Sequence, residues 1–76
     1  MKKKNWNEAV SYYKKALDIN PDNVDTHFYL GSVYEKSGQK EKSIIEFRKC
    51  IRLDPKHADA YNYLGYMYAE DNINLD

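Results

Sequence analysis

A chain of 76 residues makes one small domain or a segment of a larger one, and folding at this length buries only roughly 60% of the unfolded surface. Basic and acidic residues balance at 12 each, so the basic excess expected of a nucleic-acid binder is missing, and an apolar share of 42% is too high for a disordered charged tail. No apolar run approaches the roughly 18–20 residues of a membrane span, and the single Cys50 excludes an intrachain disulfide or a thiolate metal cluster.

The charge is unevenly spread. Residues 1–15 carry five lysines against Glu8, while residues 67–76 carry Glu70, Asp71 and Asp76 with no base. These are solvated ends in the plainest reading, or a positive head that attracts a negative tail. Met1, Lys2, Lys3 and Lys4 look like the start of an export signal, but Asn5, Trp6, Asn7 and Glu8 stand where its apolar core belongs. No membrane insertion is expected, and a cytoplasmic setting is.

The first helix, over about 5–20, is capped by Asn5 or Asn7 with Glu8 in its first turn. Ala9, Val10, Tyr13, Ala16 and Leu17 form an apolar stripe at helical period. Tyr12 and Trp6 fall off or at the edge of that stripe; Trp6 packs on a neighbouring turn or edges a protein contact. Asn20-Pro21-Asp22-Asn23 ends the helix, because Pro21 biases Asn20 out of the helical region.

The second helix spans about Val24 to Lys36, with His27, Phe28, Leu30, Gly31, Val33 and Tyr34 inward. Ser37-Gly38 stops it, Gly38 taking the left-handed conformation. The third covers about Lys40 to Leu53, with Ser43, Ile44, Phe47, Cys50, Ile51 and Leu53 inward, and Asp54-Pro55-Lys56-His57 repeats the earlier break. The fourth runs from about Ala58 to Glu70, with Tyr61, Leu64, Gly65, Met67 and Tyr68 inward. Asn72 then takes the place of Gly38, and residues 71–76 read as a tail approaching another helix, as in a segment cut from a longer protein.

A shift of 34 residues lays the chain on itself: Pro21 on Pro55, Asp25 on Asp59, Tyr29 on Tyr63, Leu30 on Leu64, Gly31 on Gly65 and Tyr34 on Tyr68. Similar residues fill the gaps, among them Val10 with Ile44 and Tyr13 with Phe47. A fixed offset of this size marks a repeat protein, in which each unit buries its apolar face against its neighbours. A glycine inside a helix costs about 1 kcal/mol against alanine, so Gly31 and Gly65 each mark a place where a neighbouring helix passes too close for a Cβ.

The middle unit carries His27, Leu30, Gly31, Tyr34, Ser43, Phe47, Cys50 and Pro55 at the positions of the 34-residue helix–turn–helix pattern of tetratricopeptide repeats. The last unit matches with Tyr61, Leu64, Gly65 and Tyr68, and the first half-unit with Ala9, Tyr13, Ala16 and Pro21. The chain therefore resembles a tetratricopeptide-repeat segment, one full repeat at about 24–54 flanked by two halves. His27 replaces a large aromatic, and Ser43 and Cys50 replace alanines. The resemblance implies an all-α fold of antiparallel helix pairs in a right-handed superhelical array.

It also implies a protein–protein interaction scaffold whose concave face holds Asp25, Phe28, Tyr29, Ser32 and Lys36 on one helix and Asp59, Asn62, Tyr63, Tyr66 and Glu70 on the next. Such a Tyr-rich strip suits a peptide or partner protein, with Asn bonding main chain and Tyr giving rigid contact area. Family members that clamp a C-terminal carboxylate use basic residues where this chain has Asp59 and Tyr63, so that ligand is not expected.

The second expectation is self-association. Two uncovered end helices, one with Val10, Tyr13 and Leu17, the other with Tyr61, Leu64, Met67 and Tyr68, would pair between copies into a ring or filament, or into a symmetric dimer. Catalysis is not expected, since no polar groups converge. No cofactor or metal is expected either: His27 and His57 read as structural, and Cys50 as an inert packed thiol.

Overall fold

The computed structural model describes residues 5–70, except the side chain of Glu70. These residues form four α-helices and no strand: α1 Trp6–Ile19, α2 Val24–Lys36, α3 Lys40–Leu53 and α4 Ala58–Glu70. Asn72 and the rest of the expected tail lie outside the described residues.

Local chemistry sets each boundary. The Asn5 side chain caps α1, accepting from the Glu8 amide at 3.2 Å while its own amide donates to Glu8 Oε1 at 3.1 Å. Asn23 caps α2 by accepting from the Thr26 amide at 3.0 Å. At the end of α2, Gly38 has φ +86°, the Gln39 amide donates to the Tyr34 carbonyl and the Gly38 amide to that of Glu35. This is a Schellman stop, in which the glycine takes a conformation that a Cβ would strain. Before α4, Asp54 accepts from the Lys56 amide, and His57 Nδ1 accepts from the Ala60 amide at 3.1 Å. That nitrogen is therefore unprotonated, and His57 serves as a ring-nitrogen cap.

The helices stack in sequence, α1 on α2, α2 on α3, α3 on α4. The α2–α3 pair is antiparallel, with Ser43 Oγ donating to the Gly31 carbonyl at 2.8 Å and Cys50 Sγ pointing at the Val24 carbonyl at 3.6 Å. Phe47 is the centre of the core, fully buried with Cys50, Ala60, Leu64 and Met67 around it. Gly31 lies under its ring, where a Cβ would sit 3.0 Å from Cε1. The expected close approach at Gly31 is real, and Ser43 uses its hydroxyl where an alanine would have none.

The expectation fails at Gly65, where a Cβ would meet nothing within 4 Å. An inner helix of a repeat array has one face for the preceding helix and another for the following one. Ala60, Leu64 and Met67, spaced i, i+4, i+7, turn to α3 and are buried. Tyr61 and Gly65, one residue further round, face the other way and are exposed, whereas Tyr68 is half-buried and packs against the core. Leu64 and Met67 are thus core residues and not part of an open end face. A further inward expectation is corrected, since Leu53 is exposed; and Glu46, a charged residue outside the expected inward set, is buried in its helix's inner face.

Candidate interaction surfaces

A chain of touching aromatic rings crosses three helices. Tyr12 meets Tyr13 at 5.5 Å between ring centroids, Tyr13 meets Tyr29 at 5.9 Å, Tyr29 meets Phe28 at 6.1 Å, and Phe28 meets Tyr63 at 5.6 Å. The inner members are anchored. Tyr63 stacks on Phe47 at 5.1 Å, and Phe28 packs on both Phe47 and His57. Tyr29 is 50% exposed, and Tyr66, beside Tyr63 on α4, is 57% exposed. Tyr66 and Asn62 flank Tyr63 around a shallow recess of about 310 Å³ whose lining is almost wholly apolar.

Of the residues expected on the concave strip, Asp25, Tyr29, Asp59, Asn62 and Tyr66 are exposed, and Phe28, Ser32 and Tyr63 are half-buried. Asp25 and Asp59 each precede a strip tyrosine by one helical turn, Tyr29 and Tyr63. Of the self-association set, Val10, Tyr13, Leu17 and Tyr68 are half-buried and Tyr61 is exposed. Leu17 lines a recess of about 420 Å³ with Pro21, Asp22, His27, Lys49, Arg52 and Leu53, where α1 and α3 end.

His27 is held from both sides. Its Nε2 lies 2.7 Å from the Pro21 carbonyl and its Nδ1 2.7 Å from Glu46 Oε1. A carbonyl only accepts, so Nε2 donates to Pro21, and Nδ1 hydrogen-bonds the Glu46 carboxyl group. One ring thereby ties α2 to α3 and to the turn after α1. The chemistry is structural, and a buried Glu on the partner helix is a signal that sequence reading passes over as ordinary surface charge. Burial, then the charges of Glu46 and Asp25, push the Cys50 thiol from 9.0 up to about 12, so the nucleophilic thiolate is suppressed. Among the described residues no group of three or more His, Cys, Asp or Glu side chains could hold a metal ion.

Helices stacked in sequence at a 34-residue period, each end helix packing on one neighbour among the described residues, are the geometry of a repeat array. A TPR-repeat family profile matches residues 1–38, half of the chain, and two tetratricopeptide-repeat profiles match residues 24–57 and 46–75. The chain belongs to the tetratricopeptide-repeat family. Comparison with curated proteins finds no match. Tetratricopeptide repeats generally mediate protein–protein interaction and form a non-catalytic scaffold. The profile over 24–57 contains α2 and α3 whole. In tetratricopeptide terms α2–α3 is therefore one repeat, α1 the second helix of the one before and α4 the first helix of the one after. No helix among the described residues is long and apolar enough to cross a membrane.

Proposed function

We propose that this chain binds a peptide or protein segment along the aromatic seam formed by Phe28, Tyr29, Tyr63 and Tyr66. The observation that carries this reading is the division of labour within the seam. Tyr63 and Phe28 are fixed by stacking on the core, whereas Tyr29 and Tyr66 offer half or more of their surface to solvent. Rigid, half-wet rings lose little entropy on binding and make good anchors. Asn62 supplies an amide for a ligand's main chain. Zero net charge and the lack of a basic stripe favour a protein partner over nucleic acid. Asp25 and Asp59 beside the rings disfavour a carboxylate-terminated ligand.

The test is selection of a binding peptide from a displayed library, followed by calorimetry with Tyr29→Ala and Tyr66→Ala. Each exposed tyrosine should account for a loss of about tenfold or more in affinity, the scale of an interface anchor, with helicity unchanged. Unaltered affinity in both variants would remove the seam as the site.

A second reading, self-association, is favoured by one contrast. Gly31 is roofed by Phe47, and its repeat-mate Gly65 is bare. The α4 face built like the seat of a helix has none on it among the described residues. Light scattering over a concentration series checks this reading: a mass fixed at 9.0 kDa would exclude it.

A further inference from the structure

Resting on that second reading, we propose that the bare face of α4 seats helix α1 of a second copy, in the register in which α3 sits on α2 within one chain. The template is internal. At the Gly31 end of the pair, five residues of α3 and its N-cap hold α2, with Cys50 meeting Val24 further along. The Gln39 amide bonds the Tyr34 carbonyl, Lys42 Nζ stands 5.7 Å from the centre of the Tyr34 ring, Ser43 bonds the Gly31 carbonyl, Glu46 holds His27, and Phe47 covers Gly31. Subtracting the repeat offset of 34 gives Asn5, Glu8, Ala9, Tyr12 and Tyr13. Those five residues line a single open recess of about 290 Å³ on α1. On the seat His27, Gly31 and Tyr34 become Tyr61, Gly65 and Tyr68; Tyr61 and Gly65 are exposed, and Tyr68, half-buried on its own core, forms the edge.

The two half-cells are complementary in chemistry as well as spacing. In the inter-copy junction the Tyr13 ring takes the place of Phe47 over Gly65, and Ala9 takes the small-residue place of Ser43. Tyr12 meets Tyr61 where Glu46 meets His27. A buried hydrogen-bonded pair is thus replaced by two tyrosines that are 70% and 50% exposed in the single chain, against 6% for His27. Neither aromatic has a role in the isolated fold that accounts for its exposure, and the junction gives both one. The opposite charges at the two ends of the sequence favour encounter in this head-to-tail sense. α1 has no buried residue although it repeats the pattern of α3, which has four. One contact therefore completes a repeat from both sides. It is heterologous, so copies add end to end or close into a ring.

The test uses one block at each end. Gly65→Arg fills the seat, and Ala9→Arg fills the recess; Gly65 has open space around it, and circular dichroism confirms that both variants remain folded. Sedimentation equilibrium should show the native chain growing in mass with concentration and each variant alone as a monomer. An equimolar mixture of the two should form a one-to-one dimer, because the Ala9→Arg copy still offers its α4 and the Gly65→Arg copy its α1. A native chain that associates while a blocked variant still dimerises, or while the mixture stays monomeric, overturns this register and leaves self-association by another face. A native chain that stays monomeric from micromolar to millimolar concentration overturns both.

Discussion

The Phe47 ring stands over Gly31, so close that a Cβ on Gly31 would lie 3.0 Å from it, while at Gly65, 34 residues on, the same space is empty. The two glycines therefore answer oppositely to one substitution. Gly65→Ala removes the conformational cost of a helical glycine and should stabilise the chain by about 1 kcal/mol. Gly31→Ala gains the same propensity but pushes a fully buried ring out of its packing, for a net loss of about 1–2 kcal/mol. Urea denaturation of both variants at a concentration where the chain is monomeric checks the pair; equal effects would mean that Phe47 is not held where it is described.

The His27–Glu46 pair should behave as a unit. Glu46→Leu alone leaves a buried ring nitrogen without its partner and should cost about 3 kcal/mol. His27→Phe together with Glu46→Leu replaces the pair by apolar bulk and should return most of that loss, since such replacements are often neutral. A double-mutant cycle in urea measures the coupling, and simple additivity of the two losses would refute the pairing.

Cys50 predicts an alkaline limit. Its folded-state pKa is raised from 9.0 to about 12 by burial and by the nearby charges of Glu46 and Asp25. The folded chain keeps a proton that the unfolded chain releases, so the contribution is fully present below pH 9 and is lost as pH rises from 9 towards 12. The native chain should lose stability in that window faster than Cys50→Ala, by up to about 1.4 kcal/mol per pH unit. The same thiol should react slowly with a disulfide reagent until urea unfolds the chain.

Tyr63 and Tyr66 separate packing from binding. Tyr63 stacks on Phe47, so Tyr63→Ala should lower the unfolding midpoint, by about 2–4 kcal/mol in stability, and is a poor probe of recognition. Tyr66 is 57% exposed, so Tyr66→Ala should leave the midpoint nearly unchanged and act on ligand affinity alone. Thermal unfolding followed at the helix band distinguishes the two.

Much of the fold was legible in the sequence because local chemistry and the repeat agree. Asn5 caps the first helix, Pro21 and Pro55 mark the breaks, Gly38 turns left-handed, and the 34-residue register lays Leu30, Gly31 and Tyr34 on their mates. What was not legible depends on which neighbour a residue faces. Leu64 and Tyr61 sit on one apolar stripe in a helical reading, yet they point to different sides of α4: Leu64 is sealed against α3, and Tyr61 faces solvent. Period alone merges the two faces of a helix that serves two neighbours. Glu46 escaped for a related reason: its charge reads as surface until His27, 19 residues away in sequence, is seen to meet it.

Whether the seam across α2 and α4 is the partner surface is tested most directly by amide-resolved NMR of the chain titrated with a selected peptide. Shifts should concentrate at Asp25, Phe28, Tyr29 and Ser32 on α2 and at Asn62, Tyr63 and Tyr66 on α4, with the α3 residues Lys49 and Arg52 unmoved. Shifts centred instead on the recess of Leu17, His27 and Arg52, with the seam silent, would contradict that assignment.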